Sequence, residues 1–102
     1  DGLRIVRLAD IVYVEILKHD LYWHIEGEAE PIRQRGSLKA AEEELGTQSF
    51  CRIAASHIVN MAHVVRLRSG SVTMSDGSEL AISRSRKAEA TEALTRFAGV
   101  GA

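Results

Sequence analysis

The sequence predicts a mainly β domain with one short internal helix and one C-terminal helix. Three observations carry this. Short segments rich in Val, Ile, Tyr and Leu recur along the chain at lengths suited to strands. Turn residues punctuate them, at Gly27, Ser69-Gly70 and Asp76-Gly77. Two stretches, one after Ser37 and one after Ser83, instead carry apolar residues at helical spacing.

In chain order, residues 3–8 (Leu-Arg-Ile-Val-Arg-Leu) and 11–17 (Ile-Val-Tyr-Val-Glu-Ile-Leu) read as strands, the second denser in β-branched residues. Lys18-His19-Asp20 interrupts with polar residues, and residues 21–26 resume the strand pattern. Gly27 opens a turn, and Pro31 restricts residues 30–35 to an edge strand. Ser37 is placed to cap a helix, with Leu38, Ala41 and Leu45 on one face and Gly46 as a left-handed stop. Glu42-Glu43-Glu44 lies near that helix's C-terminus, where the dipole disfavours acids, so packing must hold it. Residues 50–60 read as strand, break, strand. A half-buried strand over 62–68 then leads through the two turn dipeptides into strands at 71–74 and 79–82, a β-meander. Ser83 or Ser85 is expected to cap the last helix, with Ala90, Leu94 and Phe97 facing the core and Gly99 ending it.

The 102 residues suit one domain, with an ordered core over about 3–97 and a tail over 98–102. Hydrophobic residues make up 45% and charged residues 26%, which excludes a disordered chain. No apolar run reaches the ~20 residues of a membrane helix, and the opening Asp1-Gly2-Leu3-Arg4 shows no signal peptide. The absent initiator Met suggests a piece of a longer protein. A lone Cys51 excludes an internal disulfide and fits a reducing, cytoplasmic setting. Net charge is −1, unevenly spread: residues 1–51 carry six Lys/Arg against ten Asp/Glu, and residues 52–102 carry seven against four. A basic second half is a mild pointer to an anionic partner.

Enzyme chemistry finds little support. Cys51 and His57 are a possible nucleophile and base, but nothing in the sequence brings them together. His19, His24, His57 and His63 form no metal-ligand spacing, C-x-x-C is absent, and so is a glycine-rich phosphate loop. Neither catalysis, cofactor nor metal is expected, and His24, among apolar neighbours, reads as a hydrogen-bonded structural residue. The strongest physical site is Ser83-Arg84-Ser85-Arg86-Lys87, where a strand hands over to the last helix. Arg86 and Lys87 fall in a first turn that favours anions, and a bound phosphate relieves that conflict. Lys18-His19-Asp20 is a second polar tip free to meet a partner.

Taken together, these segments resemble the LytTR DNA-binding domain. Asp10-Ile11-Val12-Tyr13-Val14-Glu15 is similar to the family's opening strand motif, and Gly36-Ser37-Leu38 with Leu45 to its short helix. Phe50-x-Arg52-Ile53 followed by Ser56-x-Ile58-Val59-Asn60 resembles its most recognisable run. Ser71-Val72 through Asp76-Gly77, then Leu80-Ala81-Ile82-Ser83-Arg84, resembles its final hairpin and the Ser-Arg pair entering the last helix.

The resemblance implies an elongated stack of small antiparallel β-sheets whose loops enter successive DNA major grooves. It implies sequence-specific binding of double-stranded promoter DNA, at paired short repeats, by a dimer on DNA. It also implies the output domain of a bacterial response regulator with an N-terminal receiver, whose loss explains the abrupt start. In the first loop the matching positions run from Lys18 to Leu21. Alignment from Glu15 can fall on Leu21, while His19 is the nearest side chain able to hydrogen-bond a base. In the second loop the family's polar or basic pair is replaced by Ala54 and Ala55. That leaves at most a contact to a thymine methyl, with Ser56 free to donate to a phosphate. In the third loop Arg84 matches a base-reading arginine, with Arg86 and Lys87 as phosphate partners. The double alanine and the acidic first half motivate an alternative, a protein-interaction module of the same fold with weak or lost DNA binding.

Overall fold

The computed structural model describes residues 4–99. Eight strands form two antiparallel sheets: β1 (Ile11–Leu17), β2 (Asp20–Ile25), β3 (Ile32–Arg35), β4 (Phe50–Ala54), β5 (His57–Asn60), β6 (Val64–Arg68), β7 (Ser71–Met74) and β8 (Glu79–Ala81). Helix α1 (Leu38–Leu45) lies between β3 and β4, and α2 (Lys87–Ala98) ends the described chain. The main sheet has strand order β3-β2-β1-β5-β4, and the meander forms a second sheet, β6-β7-β8. The molecule measures 47 × 25 × 23 Å, so the expected mainly β, elongated architecture is present.

β1 sits at the centre of the main sheet, and a bulge sets its phase. Ile11 pairs with Ile25, but Tyr13 pairs with His24, so β1 carries one extra residue there. The extra residue flips the alternation, and Ile11 to Val14 are buried in succession. Ile11 and Val14 join Leu21, Ile25, Phe50 and Ile58 beneath Leu38, Ala41 and Leu45 of α1. Val12 and Tyr13 join Ile53, Val59, the meander's Val72, Met74 and Leu80, and Ala90 and Leu94 of α2. The two cores therefore share one central strand.

Local signals placed most element ends. Ser37 accepts the Ala40 amide at 3.1 Å, and Leu38, Ala41 and Leu45 are the buried face of α1. Gly99 caps α2 in the left-handed region at φ 71°, ψ 17°. Gly46 also takes a positive φ of 75°, but with ψ −173°, so the chain leaves α1 extended rather than left-handed. β3 is an edge strand, as Pro31 requires.

Three further expectations need correction. The strand expected over 3–8 does not form in its described part, 4–8: residues 4–7 have no regular structure and Leu8–Asp10 is a 3-10 turn. β2 and β5 already occupy both edges of β1, so β propensity alone found no partner. Instead Asn60, buried, donates to the carbonyls of Leu8 at 3.3 Å and Ile11 at 2.9 Å. Neither Ser83 nor Ser85 caps α2 through its hydroxyl, because a 3-10 turn (Arg84–Arg86) leads into the helix and its own backbone bonds occupy the free amides. Phe97 is 43% exposed, in the last turn of α2, where it lines an apolar groove with Val65 and Leu67. Helix α2 runs to Ala98, and residues 1–3 and 100–102, among them most of the expected tail, lie outside the described residues.

Candidate nucleic-acid interface

β1 turns into β2 through Lys18-His19, and β4 turns into β5 through Ala55-Ser56. β1 and β5 are antiparallel neighbours with Glu15 opposite His57, and the Ile16 amide donates to the Ser56 carbonyl at 2.9 Å. Both turns therefore leave the main sheet at the same end. β3 finishes there too, with Arg35 opposite Asp20 and the Gly36 amide donating to the His19 carbonyl at 3.0 Å. The strand-to-helix junction is tied alongside, because the Ser83 amide donates to the Ile53 carbonyl at 2.9 Å. The β6–β7 turn follows: the Ile82 amide donates to the Gly70 carbonyl at 2.9 Å, and Lys87 Nζ donates to Ser69 Oγ at 3.3 Å. Three segments far apart in sequence thus share one end of the main sheet.

Lys18 and His19 are both exposed at the first turn. Lys18 has φ 61°, the one positive value among described non-glycine residues. In a two-residue hairpin, a positive φ at the first central position is where glycine is preferred, so Lys18 holds a strained backbone. Leu21 does not belong to this surface. It is 4% exposed, packs with the α1 core, and would meet a Cβ placed on Gly36 at 3.2 Å. A side chain in that position cannot reach a base edge, and the expectation for Leu21 is corrected on that ground.

At the second turn Ser56 is half-buried and its Oγ lies 2.9 Å from His57 Nδ1. Ala54 is half-buried and Ala55 exposed. The turn is shaped from below by Arg52, whose guanidinium donates to the carbonyls of Ala54 at 3.3 Å and Ala55 at 3.0 Å and meets Glu42 of α1 at 3.4 Å. Planar forked donors suit such a clamp. At the junction Arg84 is exposed and makes no side-chain hydrogen bond or ion pair among the described residues. Arg86 is half-buried, 3.8 Å from Glu89, and Lys87 is exposed. Glu89 is the first-turn acid of α2, so the conflict between Arg86, Lys87 and the helix dipole is smaller than the sequence implied. Arg35 and Arg68, the latter beside the Ser69-Gly70 turn, add exposed cations that sequence reasoning passed over. Only strand pairing reveals that these positions neighbour the loops.

Behind the second turn, one carboxylate serves two imidazoles. Glu15 Oε1 lies 2.8 Å from His24 Nε2, and Oε2 lies 3.3 Å from His57 Nε2. Tyr13 stacks on His24 with ring centroids 4.1 Å apart. Burial raises the Tyr13 phenol above its ordinary range, opposed by its hydrogen bond with Ser78. His63 is a separate structural residue, between the Ala9 carbonyl and Ser75 Oγ at 2.7 Å each. Burial also raises the Cys51 thiol, with Glu89 adding and Arg86 opposing, so the reactive thiolate is disfavoured. Among the described residues no group of three His, Cys, Asp or Glu side chains is arranged to hold a metal ion. No helix among them is long and apolar enough to cross a membrane.

The family model of the LytTr DNA-binding domain matches residues 1–95, nearly the whole chain and every segment that builds this edge. The chain belongs to that family. The LytTr fold is also found by structure comparison, where four solved chains match. One is described as the LytTr DNA-binding domain of a methyl-accepting/DNA response regulator from Bacillus cereus. It superposes with a TM-score of 0.75 at 26% identity, covering 90% of this LytTr domain and 86% of that chain. No curated protein matches.

Proposed function

We propose that this LytTr domain binds double-stranded promoter DNA sequence-specifically, with the turns at one end of its main sheet entering the major groove. The observation that carries the proposal is the gathering of Lys18-His19, Ala55-Ser56 and Arg84–Lys87 at that end by strand pairing and backbone hydrogen bonds. Arg84 has the right chemistry for a guanine edge, whose two acceptors match a guanidinium fork. His19 offers a base contact from the first turn. Lys18, Ser56, Arg86 and Lys87 supply cations and a hydroxyl for phosphates, which position without reading sequence. As a cytoplasmic output domain of a response regulator, it would act beneath a receiver and pair on DNA at two short repeats. The Bacillus cereus domain's description supports the regulatory setting.

The second reading, a protein-interaction module, draws on Ala55, which is exposed and carries no hydrogen-bonding group. Anisotropy titration of the domain against the DNA upstream of its own gene, at two salt concentrations, separates the readings. Salt-dependent binding that exceeds binding to a scrambled duplex is expected. Absence of any salt-dependent binding rejects DNA as the partner and favours the second reading.

A further inference from the structure

The Glu15–His24–His57 cluster stands directly behind the second turn, and its charge governs what Ser56 can offer through His57. Glu15 Oε2 lies 3.3 Å from His57 Nε2 in a charge contact, which favours the tautomer that carries its hydrogen on Nε2 over one that turns a lone pair toward the carboxylate. In the neutral ring, Nδ1 is then an acceptor, and the Ser56 hydroxyl 2.9 Å away must donate to it. That spends the only hydrogen of Ser56 inward and leaves lone pairs facing out, the wrong polarity for a phosphate. Protonated, His57 donates from both nitrogens, and Ser56 Oγ becomes an acceptor toward the ring with its hydrogen free to point outward.

We propose that His57 is a positioning residue for Ser56 and that protonation of the Glu15–His24–His57 cluster turns the Ser56 hydroxyl into a phosphate donor. The proposal rests on the DNA-binding reading above. Charge acts in the same direction as hydrogen-bond polarity. One carboxylate beside two neutral imidazoles carries −1, and beside two imidazolium ions +1, at an edge that would face phosphates. Other groups around the cluster are few. Tyr13 and Glu15 come from β1 and His24 from β2. Ser78, bonded to Tyr13, and Asp76 come from the meander turn. From β4, Arg52 engages Glu42 and the turn carbonyls, while Arg86 of the 3-10 turn and Glu89 of α2 act on Cys51 of the same strand. Histidine is the side chain whose charge changes between about pH 5 and 8, so the interface would bind DNA more tightly as pH falls.

The test uses a labelled random-sequence duplex, because phosphate contacts do not need a cognate site. A His19→Gln background removes the exposed imidazole of the first turn. In that background affinity is expected to rise roughly fivefold from about pH 8 to about pH 6, with the salt slope steepening by about 1. Adding His57→Gln, whose amide stays neutral, is expected to cut both responses by about half, leaving the share of His24, while circular dichroism stays unchanged. Calorimetry in buffers of different ionisation enthalpy gives a measurement without that variant: proton uptake on DNA binding is expected near neutral pH. Affinity that is flat with pH, absence of proton uptake, or a pH response that His57→Gln leaves undiminished overturns the proposal while leaving DNA binding intact. Absence of binding at every pH overturns the underlying reading as well.

Discussion

Arg84 stands on a 3-10 turn held at both ends, by the Ser83–Ile53 backbone bond before it and α2 after it. A side chain that is exposed, mounted on rigid backbone and without a partner among the described residues has little to lose structurally on truncation. Arg84→Ala is therefore expected to leave the melting temperature unchanged. It should cost about 1–3 kcal/mol in binding to the cognate duplex and relax preference at one base pair. Competition between single-base duplex variants measures this; unchanged discrimination would remove Arg84 from base readout. Lys18 is the opposite case, since its positive φ of 61° is a cost carried by the free protein. Lys18→Gly relieves that strain and is expected to stabilise the fold by about 0.5–1 kcal/mol. The same change removes a cation from the first turn and should weaken DNA binding. Denaturant midpoints and titrations on the same sample check both signs. A variant that gains stability and keeps its affinity would show that Lys18 does not touch DNA.

The connection between β5 and β6 shows how a single buried polar group organises the elements around it. Asn60 Oδ1 accepts from Ser49 Oγ at 2.6 Å and from the Ala62 amide at 3.0 Å, and its amide holds Leu8 and Ile11. At 1% exposure the Asn60 side chain is buried, and its bond to the Ile11 carbonyl is buried with it. Asn60→Ala leaves those groups without partners and is expected to cost about 1–3 kcal/mol, a fall in melting temperature of roughly 5–20 °C. Loss of less than half a kcal/mol in a denaturant titration would refute the assignment. The elements themselves were mostly legible. Periodicity and caps are local, so α1, the meander turns and the end of α2 could be read from neighbouring residues. The bulges at Ile11/Tyr13, Arg52/Ala54 and Val64/Arg66 could not, because a bulge is a relation between two strands. That is why Leu21, near the loop in sequence, looked available when the pleat turns it under α1. The same limit hid the pairing of Glu15 with both His24 and His57, three residues on three different strands. The cation run at 84–87 was visible because it is contiguous, whereas the neighbouring Arg35 and Arg68 come from other strands.

At the scale of the whole molecule, the uneven charge of the chain acquires a spatial meaning. The acidic run Glu42–Glu44 lies on α1, which covers one face of the main sheet. Arg84, Arg86 and Lys87 lie where the main sheet meets the meander, with Arg68 on the adjoining strand. A near-neutral protein can thus gather cations locally, and net charge alone says nothing about its affinity for a polyanion. Each phosphate neutralised releases about 0.9 counterion, so the salt slope counts the cations in contact. Lys87 is positioned by Ser69 of the second sheet, and its partner there is a neutral hydroxyl, leaving its charge available to a phosphate. Lys87→Ala is therefore expected to weaken cognate and random duplexes by the same factor and to reduce the slope by about 1. Glu43→Ala, on the acidic side, is expected to leave the slope unchanged. Equal slopes for wild type and Lys87→Ala would place Lys87 outside the contact surface, and a steeper slope for Glu43→Ala would move the DNA onto α1.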